Sequence, residues 1–181
     1  MIKTKKPLFT SAAFIPETPA GALALAASKK GLARLFFCAR TDYVNFLADY
    51  DLSEGSPADG LLGEAFRQVT EYFDGQRKVF DLPLDLSGQS PFREKALWQC
   101  ARIPFGQTIT YGELAARAGN PKAARAAGGA MAKNPIALVI PCHRVVGSDR
   151  GLHGFSSPGG LDTKAILLRH EGVLVEQERV R

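Results

Sequence analysis

Residues 110–132 read TYGELAARAGNPKAARAAGGAMA, and they predict two short helices joined by a tight turn. Thr110 and Glu113 have the spacing of a capping box, which opens the first helix. Asn120, with a proline directly after it, ends the turn and begins a second helix that runs to about Ala132. Two helices connected in this way form a helix-turn-helix candidate.

The predicted second helix carries almost only small side chains. Eight of the ten residues from Ala123 to Ala132 are Ala or Gly, and Arg125 is the long charged side chain in their middle. A surface of this kind allows a helix backbone to approach its neighbour closely. The neighbour is either another helix or a nucleic-acid groove, and the helix by itself leaves both alternatives open.

Positive charge is concentrated in the second half of the chain. Residues 1–88 hold 10 basic and 11 acidic side chains, whereas residues 89–181 hold 13 basic and 7 acidic ones. No carboxylate lies between Glu113 and Asp149. Such a stretch suits a polyanion such as nucleic acid, although a solvated face with chance clustering accounts for the charge alone equally well. Its basic residues are Arg117, Lys122, Arg125, Lys133 and Arg144.

The overall composition is that of an ordinary globular protein. The 181 residues are 45% hydrophobic and 23% charged, and no apolar run is long enough for a transmembrane helix. Pro16 and Pro19 interrupt the Ala-rich stretch near the N-terminus, which argues against a signal peptide. Cys38, Cys100 and Cys142 are too few and too dispersed for a disulfide framework or a CxxC metal site. The composition predicts a cytoplasmic protein with reduced thiols, no bound metal and no membrane partner.

The first half of the chain predicts a small α/β unit. Two apolar runs, 22–27 and 32–38, are separated by Ser-Lys-Lys-Gly and predict a β-hairpin. Apolar side chains recur at helical spacing over 61–73, and alternation over 80–86 predicts a third strand. Residues 1–10 are interpreted as a loose basic arm.

Ser87-Gly88-Gln89 is the best domain boundary in the sequence. It divides the chain into an N-terminal α/β domain, residues 1–88, and a mainly helical C-terminal domain, residues 89–181, which contains the helix-turn-helix. The expected fold class is therefore α/β (α+β), with a sheet-and-helix unit followed by a helical one.

The segment IALVIPCHRVV, residues 136–146, carries the most informative chemistry. Its apolar start predicts a strand that delivers Cys142 at a position constrained by the preceding proline, with His143 directly after it. A thiol attacks only as the thiolate, and a nearby imidazole or cation lowers its pKa. Cys142 is therefore a candidate nucleophile, although a Cys-His dipeptide alone is weak evidence, because adjacent residues on a strand point to opposite faces and buried cysteines are usually inert.

Together with its neighbouring motifs, this segment resembles the acceptor signature of the O6-alkylguanine-DNA alkyltransferase family, the methylated-DNA–protein-cysteine methyltransferases. The resemblance covers residues 90–174 closely and the N-terminal part in outline. The motifs that carry it are FREKALW at 92–98, Tyr111, GNPKAARA at 119–126, GGAM at 128–131, Asn134-Pro135, PCHRV at 141–145, and the segments 159–161 and 170–172.

The resemblance implies a division of labour at the acceptor site. Cys142 accepts the alkyl group from O6 of a damaged guanine, and His143 acts through a water as the base for the thiol. Glu171 orients the imidazole, although by itself it is interpreted as an ordinary carboxylate at a helix end. Asn134 organises the turn between the second helix and the strand of Cys142, or caps that helix, or does both. Tyr111 hydrogen-bonds the departing guanine and helps to rotate the DNA backbone.

The same resemblance implies repair of double-stranded DNA. The target base must leave the duplex, and Arg125 takes its place in the stack while the Ala/Gly surface enters the minor groove. The expected lesion is O6-alkylguanine, with O4-alkylthymine as a second candidate, and the expected protein is a monomer that uses no cofactor. Further predicted DNA contacts are Arg93, Tyr111, Gly112, Asn120 and Ser148, and the predicted alkylguanine pocket includes Phe155, Ser156 and Ser157.

Two features depart from the family's pattern. Phe155 stands where many members have Tyr, and the loop 154–160 is longer, so the range of accepted alkyl groups stays open. No second cysteine is expected near the acceptor Cys142, and the sequence holds neither a four-cysteine phosphotriester domain nor a zinc site.

Three other functions compete with alkyl transfer. A binding-only relative that recruits other repair proteins would carry Trp in place of Cys142. A regulator of transcription would carry base-reading polar side chains along residues 123–132, and this helix lacks them. A cysteine hydrolase would use Cys142, His143 and Glu171, but it gives no reason for the basic helix-turn-helix beside them.

Overall fold

The computed structural model describes residues 9–55 and 60–181, and the chain divides into two compact units, Met1–Asp85 and Leu86–Arg181. The division predicted from the sequence comes slightly later, after Gly88. Within the described ranges, no helix is both long and apolar enough to cross a membrane.

The described part of the N-terminal unit is a three-stranded antiparallel sheet with two helices. Its elements are β1 (Ser11–Ile15), β2 (Leu23–Ser28), β3 (Gly31–Phe37), α1 (Arg40–Asp49) and α2 (Gly60–Phe73). The strand order is β1-β2-β3, and the predicted hairpin is confirmed as the β2–β3 pair, with Leu25 opposite Leu35. The helix predicted over 61–73 is confirmed as α2. Most of the predicted basic arm, residues 1–8, lies outside the described residues.

Strand alternation gives this sheet an apolar surface on each face. Ala24 lies on the face that packs against α1, where Tyr43 is fully buried. Helix α2 contacts all three strands and buries Leu62, Val69 and Tyr72. Burial of side chains of this size is worth roughly 1.5–3 kcal/mol each, so the two helices stabilise the sheet by packing.

The third strand predicted over 80–86 is wrong. The segment forms one isolated parallel bridge with the sheet, between Leu84 and Leu32, instead of a strand ladder. Pro83 has no N–H to donate, and its carbonyl instead accepts the Leu32 N–H at 2.8 Å. Gly31 allows this approach, because a Cβ there would overlap the Pro83 carbonyl.

Helices dominate the C-terminal unit, with short paired strands between them. Its elements are α3 (Pro91–Ala101), β4 (Ile109–Thr110), α4 (Tyr111–Arg117), α5 (Ala124–Ala132), a 3₁₀ helix (Cys142–Arg144), β5 (Val145–Val146), α6 (Gly160–His170), β6 (Val175–Glu176) and β7 (Arg179–Val180). Helices α3, α4 and α5 pack against one another, and β4 pairs in parallel with β5. The segment that contains the 3₁₀ helix is thereby fixed between the helix-turn-helix and α6.

The predicted helix-turn-helix is present as α4 and α5. The capping box is confirmed, since the Glu113 N–H donates to Thr110 Oγ1 at 3.1 Å. The predicted start of the second helix is wrong, because Asn120 closes a turn by accepting the Ala123 N–H on its carbonyl at 3.0 Å. Helix α5 therefore begins at Ala124, which places Arg125 in its first turn instead of its middle. The helix ends at Ala132 as predicted, and Lys133 rather than Asn134 is its C-cap.

Candidate active site

A turn held by one asparagine precedes the acceptor cysteine. Asn134 Nδ2 donates to the Ile140 carbonyl at 2.8 Å, and its Oδ1 accepts the Ile136 N–H at 3.1 Å. The Ile140 N–H in turn donates to the Ile136 carbonyl at 2.9 Å, and Leu138 has a φ of 69°. The strand predicted for residues 136–140 is therefore wrong. The Asn134 amide and the turn itself satisfy backbone groups that a strand would have paired in a sheet.

Cys142 lies beside a small, partly open cavity. It is the first residue of the 3₁₀ helix, and it is 7% exposed. The cavity has a volume of about 30 Å³, which accommodates a water molecule or a methyl group but not a purine ring. Its lining residues are Tyr111, Gly128, Met131, Ala132, Cys142, Gly154, Phe155 and Ser156.

His143 and Glu171 form a buried pair next to the cysteine. His143 Nε2 lies 2.8 Å from Glu171 Oε1, and both side chains are fully excluded from solvent. Because an ionised carboxylate only accepts, Nε2 carries the hydrogen and donates it to Glu171. In the neutral ring Nδ1 is then unprotonated, and it is buried with no hydrogen-bond partner among the described residues. The imidazole therefore offers a free acceptor nitrogen, as a base for a thiol requires.

Arg144 holds the same carboxylate from another side. Its Nε and Nη2 atoms donate to the two oxygens of Glu171 at 2.8 Å each, and its Nη1 donates to the Ile103 carbonyl at 2.5 Å. A bidentate pair of this kind fixes the plane of the carboxylate. Arg144 is thus buried and paired, so it does not belong to the basic surface that the sequence predicted.

The backbone at Gly106 completes the surroundings of Glu171. The Gly106 N–H donates to Glu171 Oε2 at 3.0 Å. Gly106 has a φ of 74°, and a Cβ there would lie 2.9 Å from the Glu171 carbonyl oxygen, so only glycine fits without strain. Glu171 is also the C-cap residue of α6. Its two interpretations, a helix-end carboxylate and the partner of His143, therefore hold together.

Burial and hydrogen bonding set the protonation states of the site. Burial acts to raise the pKa of Glu171, but the hydrogen bonds that it accepts outweigh burial and hold that pKa well below its usual range. Burial lowers the pKa of His143 despite the opposing carboxylate, so the ring is neutral at pH 7. Burial raises the pKa of the Cys142 thiol, while a hydrogen bond from Asn134 acts in the opposite direction. The resting site therefore holds a thiol, a neutral imidazole and an ionised carboxylate.

Tyr111 shares the cavity with Cys142. Its ring packs over Gly128, where a Cβ would lie 3.8 Å from the ring carbon Cδ1. Burial raises the pKa of Tyr111, and the neighbouring thiols of Cys142 and Cys100 raise it further. The phenol therefore stays protonated and can donate a hydrogen bond to a group bound in the cavity.

The expectation that no second cysteine lies near the acceptor is wrong. Cys100, in α3, is fully buried, and burial followed by the proximity of Cys142 raises its pKa well above the usual value. The sequence separation hides this proximity, because α3 and the 3₁₀ helix are brought together only by the fold.

The loop that follows Leu152 closes one side of the cavity. Phe155 is half-buried against it, and Ser156 Oγ donates to the Ala132 carbonyl at 3.1 Å. Ser157 is not among the cavity-lining residues, and its Oγ is buried with no hydrogen-bond partner in the described part of the chain. The structure thus places two of the three predicted pocket residues at the cavity.

The other residues predicted to contact DNA are spread over three helices, one turn and one loop. Arg125 is exposed and forms no ion pair with any residue in the ranges 9–55 and 60–181. Their positions are: Arg125 in the first turn of α5, Gly112 in the first turn of α4, Asn120 exposed in the turn between these helices, Arg93 half-buried on α3, and Ser148 exposed after β5.

Two family models match the chain. Residues 12–86 match the ribonuclease-like domain of 6-O-methylguanine DNA methyltransferase, and residues 91–173 match the DNA-binding domain of the same family. The chain belongs to the 6-O-methylguanine DNA methyltransferase family. The resemblance inferred from the sequence motifs is thereby confirmed.

Individual relatives can be aligned with most of this chain. The methylated-DNA–protein-cysteine methyltransferase of Methanosarcina acetivorans is 40% identical over 161 residues, which are 86% of this chain and 95% of the relative. The constitutive enzyme of Bacillus subtilis is 36% identical over 162 residues, with coverages of 90% and 96%. Among solved structures, Mycobacterium tuberculosis OGT in complex with DNA is similar with a TM-score of 0.74 and 34% identity, and it covers 90% of this chain and 92% of its own. The expected α/β fold class is confirmed.

Two residues of the candidate site were not singled out from the sequence. Gly106 belongs to the segment Pro104-Phe105-Gly106, which predicts only the end of a helix, and no sequence signal connects it with Glu171. Lys164 did have a signal, because it lies at helical spacing with Leu161 and Leu168 on the apolar side of α6. A charged residue at such a position is buried, and Lys164 is indeed 0% exposed.

Proposed function

We propose that the protein repairs DNA by one irreversible transfer of an alkyl group from O6-alkylguanine to Cys142. The observation that carries the proposal is the buried His143–Glu171 pair directly after Cys142, at a cavity that Tyr111 also lines. Membership of the methyltransferase family supports it. The names of the relatives, methylated-DNA–protein-cysteine methyltransferases, describe the same reaction.

The reaction exchanges one bond for another at the alkyl carbon. His143 Nδ1 takes the thiol proton through a water molecule, while Glu171 stabilises the imidazolium that forms. The sulfur of Cys142 gives an electron pair to the alkyl carbon, and a C–S bond forms as the C–O6 bond breaks. The electron pair of the broken bond stays with guanine, where a hydrogen bond from Tyr111 stabilises the developing charge. The thioether has no leaving group that water readily displaces, so each molecule reacts once.

DNA is the partner of the protein, and double-stranded DNA with O6-alkylguanine is the substrate. Helix α5 presents small residues to the minor groove, and a Cβ at Gly129 would contact nothing within 4 Å, so this part of the surface is open. Arg125 fills the space that the flipped nucleotide leaves in the stack. O4-alkylthymine is the second candidate lesion. Action as a monomer, in the cytoplasm, stays a prediction.

Substrate entry requires the pocket to open. A cavity of about 30 Å³ does not hold an alkylguanine, so the loop with Phe155 and Ser156 must move away from Ala132. The hydrogen bond from Ser156 Oγ to the Ala132 carbonyl is one exposed contact, and its loss costs about 0.5–1.5 kcal/mol. Binding of a flipped base supplies this amount readily.

Intact-mass spectrometry after mixing with duplex DNA that contains O6-methylguanine tests the proposal. We expect one added methyl group per molecule, on the peptide that contains Cys142, and none in a Cys142→Ser variant. The matched control is Cys38→Ser, which changes a buried thiol of the N-terminal unit and should leave the transfer intact. Methylation of Cys38 or Cys100, or many turnovers per molecule, would contradict the proposal.

A further inference from the structure

A buried lysine lies next to the acceptor segment without a carboxylate partner. Lys164, in α6, is 0% exposed. Its Nζ donates to the carbonyl of Val145 at 2.7 Å and to the carbonyl of Leu152. Among the residues that the structure describes, no Asp or Glu forms an ion pair with this ammonium.

An ammonium in the protein interior is costly unless an anion compensates its charge. Backbone carbonyls hydrogen-bond Lys164 but carry no net charge. Burial lowers its pKa to about 8, against the opposing influence of Cys142 and Cys100. At pH 7 the side chain is therefore protonated, and it places a positive charge in the interior of the C-terminal unit.

The titratable neighbours of Lys164 leave one candidate for the compensating anion. Tyr111, in α4, has its ring centroid 6.0 Å from Lys164 Nζ, and its raised pKa keeps the phenol neutral. Cys100, in α3, has a pKa well above the usual value and stays a thiol. Cys142, in the 3₁₀ helix, is the group that the proposed reaction converts into an anion.

The other charged groups of the site do not take the place of Lys164. His143 is neutral in the resting site because burial lowers its pKa. The charge of Arg144 is balanced by Glu171, to which it is bound in a bidentate pair. Within the described part of the chain, Lys164 is thus the cation beside the acceptor segment whose charge no carboxylate balances.

We propose that Lys164 is a positioning residue that supplies the counter-cation for the Cys142 thiolate. The proposal rests on the proposed function, in which Cys142 is the nucleophile. The thiol proton still passes to His143, and Lys164 keeps its own proton throughout, so no group is transferred to the lysine. Its hydrogen bonds to Val145 and Leu152 fix the ammonium between the acceptor segment and the start of the pocket loop.

Alkylation of Cys142 by iodoacetamide tests the proposal without DNA or methyl transfer. The rate is followed by mass spectrometry on the Cys142 peptide across pH, for wild type and for Lys164→Met, which keeps most of the length of the side chain and removes its charge. We expect Lys164→Met to react more slowly near neutral pH, where the wild-type lysine is protonated, and the difference to vanish at higher pH as Lys164 loses its proton. If the cation stabilises the thiolate by about one pKa unit, its loss lowers the rate near neutral pH only about threefold, because a more basic thiolate is also a better nucleophile.

Two variants separate charge from packing. Lys164→Arg keeps a positive charge and should keep the rate near neutral pH close to the wild-type value. Lys95→Met removes an exposed lysine from α3 and should leave that rate unchanged. A folded Lys164→Met protein with the wild-type rate near neutral pH overturns the proposal, even if methyl transfer from DNA proceeds. Failure of the wild-type protein to accept a methyl group from DNA, with a slower alkylation in Lys164→Met, would instead overturn the proposed function.

Lys164→Gln replaces Lys164→Met if the latter does not fold, because its amide group can still donate hydrogen bonds to backbone carbonyls but carries no charge. We expect the same loss of rate near neutral pH in this variant. A wild-type rate in folded Lys164→Gln would overturn the proposal.

Discussion

Glu171 accepts hydrogen bonds from His143, Arg144 and the Gly106 N–H, so its removal leaves two buried side chains and one part-buried backbone group without their acceptor. The carboxylate fixes the tautomer of His143 by accepting from Nε2, and it stabilises the imidazolium when the ring takes a proton. The guanidinium of Arg144 in turn keeps the carboxylate ionised. A single residue therefore links the basicity of the imidazole to the folding of the segment that bears it.

This linkage predicts an acid-dependent loss of stability. The pKa of Glu171 in the folded protein is far below the value of about 4.3 in an unfolded chain, so its contribution is fully present above that value. The contribution is lost as the pH falls from about 4.3 toward the folded-state pKa. Glu171→Gln should lower the free energy of unfolding at pH 7 by about 3–5 kcal/mol, because Arg144 stays buried without its anion. Urea unfolding at a series of acidic and neutral pH values measures both effects.

The control for this prediction is Glu94→Gln, which changes an exposed carboxylate of α3. It should behave like wild type at every pH. We also expect the stability of Glu171→Gln to depend less on pH in the acid range than that of wild type. An equally steep acid dependence in both proteins would show that other carboxylates govern it.

At this scale, sequence analysis identified the residues that we propose to react, but not all the residues that surround them. Cys142 and His143 stand in a recognisable motif, and Glu171 could be placed by the resemblance of the segment 170–172. Gly106 and Lys164 form hydrogen bonds to segments that are distant in the sequence. No sequence pattern predicts that a lysine will donate to two particular backbone carbonyls. Their roles depend on tertiary contacts that a single sequence does not encode locally.

At the scale of the elements, the later start of α5 changes the setting of Arg125. The residue lies in the first turn of the helix, where free backbone N–H groups attract anions, so a phosphate contact competes with insertion into the stack. Both roles need an exposed side chain without an ion pair, and Arg125 meets that condition within the described residues. The two roles differ in the step that they affect.

The single-turnover rate distinguishes them. A residue that fills the stack holds the flipped state open, and its loss removes compensation for an unstacking cost of a few kcal/mol. Arg125→Ala should therefore slow repair of duplex DNA at saturating DNA by a factor of roughly 10–100 or more, while the reaction with free O6-alkylguanine base keeps its rate. Arg117→Ala, at the exposed end of α4, should weaken binding without slowing the saturated reaction. Equal slowing of both substrates by Arg125→Ala would assign Arg125 a structural or catalytic role.

The sequence predicted helices and strands correctly where apolar residues repeat with a single regular spacing. The hairpin β2–β3 and helix α2 have regular apolar spacing, and both were predicted. Helix α1 was not predicted, although Tyr43, Phe46, Leu47 and Tyr50 have helical spacing and pack in one cluster. The segments 80–86 and 136–140 are equally apolar but form no strand. A proline interrupts the first segment, and the Asn134 side chain satisfies backbone hydrogen-bonding groups of the second.

At the scale of the whole molecule, the two halves of the chain differ in net charge. Residues 1–88 carry 10 basic and 11 acidic side chains, and residues 89–181 carry 13 and 7. Of the five basic residues in the carboxylate-free stretch, four are exposed, because Arg144 is buried and paired with Glu171. These four are Arg117, Lys122, Arg125 and Lys133, all within or beside α4 and α5.

The four exposed cations predict DNA binding that depends strongly on salt and weakly on sequence. Each phosphate contact releases counterions and contributes about 0.9 to the slope of log affinity against log salt, so Lys122→Ala should reduce that slope by about 1. Lys29→Ala, in the turn between β2 and β3, should leave the slope unchanged. Since α5 presents Ala and Gly instead of base-reading side chains, one lesion in several flanking sequences should bind with affinities within about two orders of magnitude. Filter binding or fluorescence anisotropy at several salt concentrations measures both quantities. A larger spread among flanking sequences would mean that the protein reads base edges, and an unchanged slope in Lys122→Ala would place the phosphate contacts on another surface.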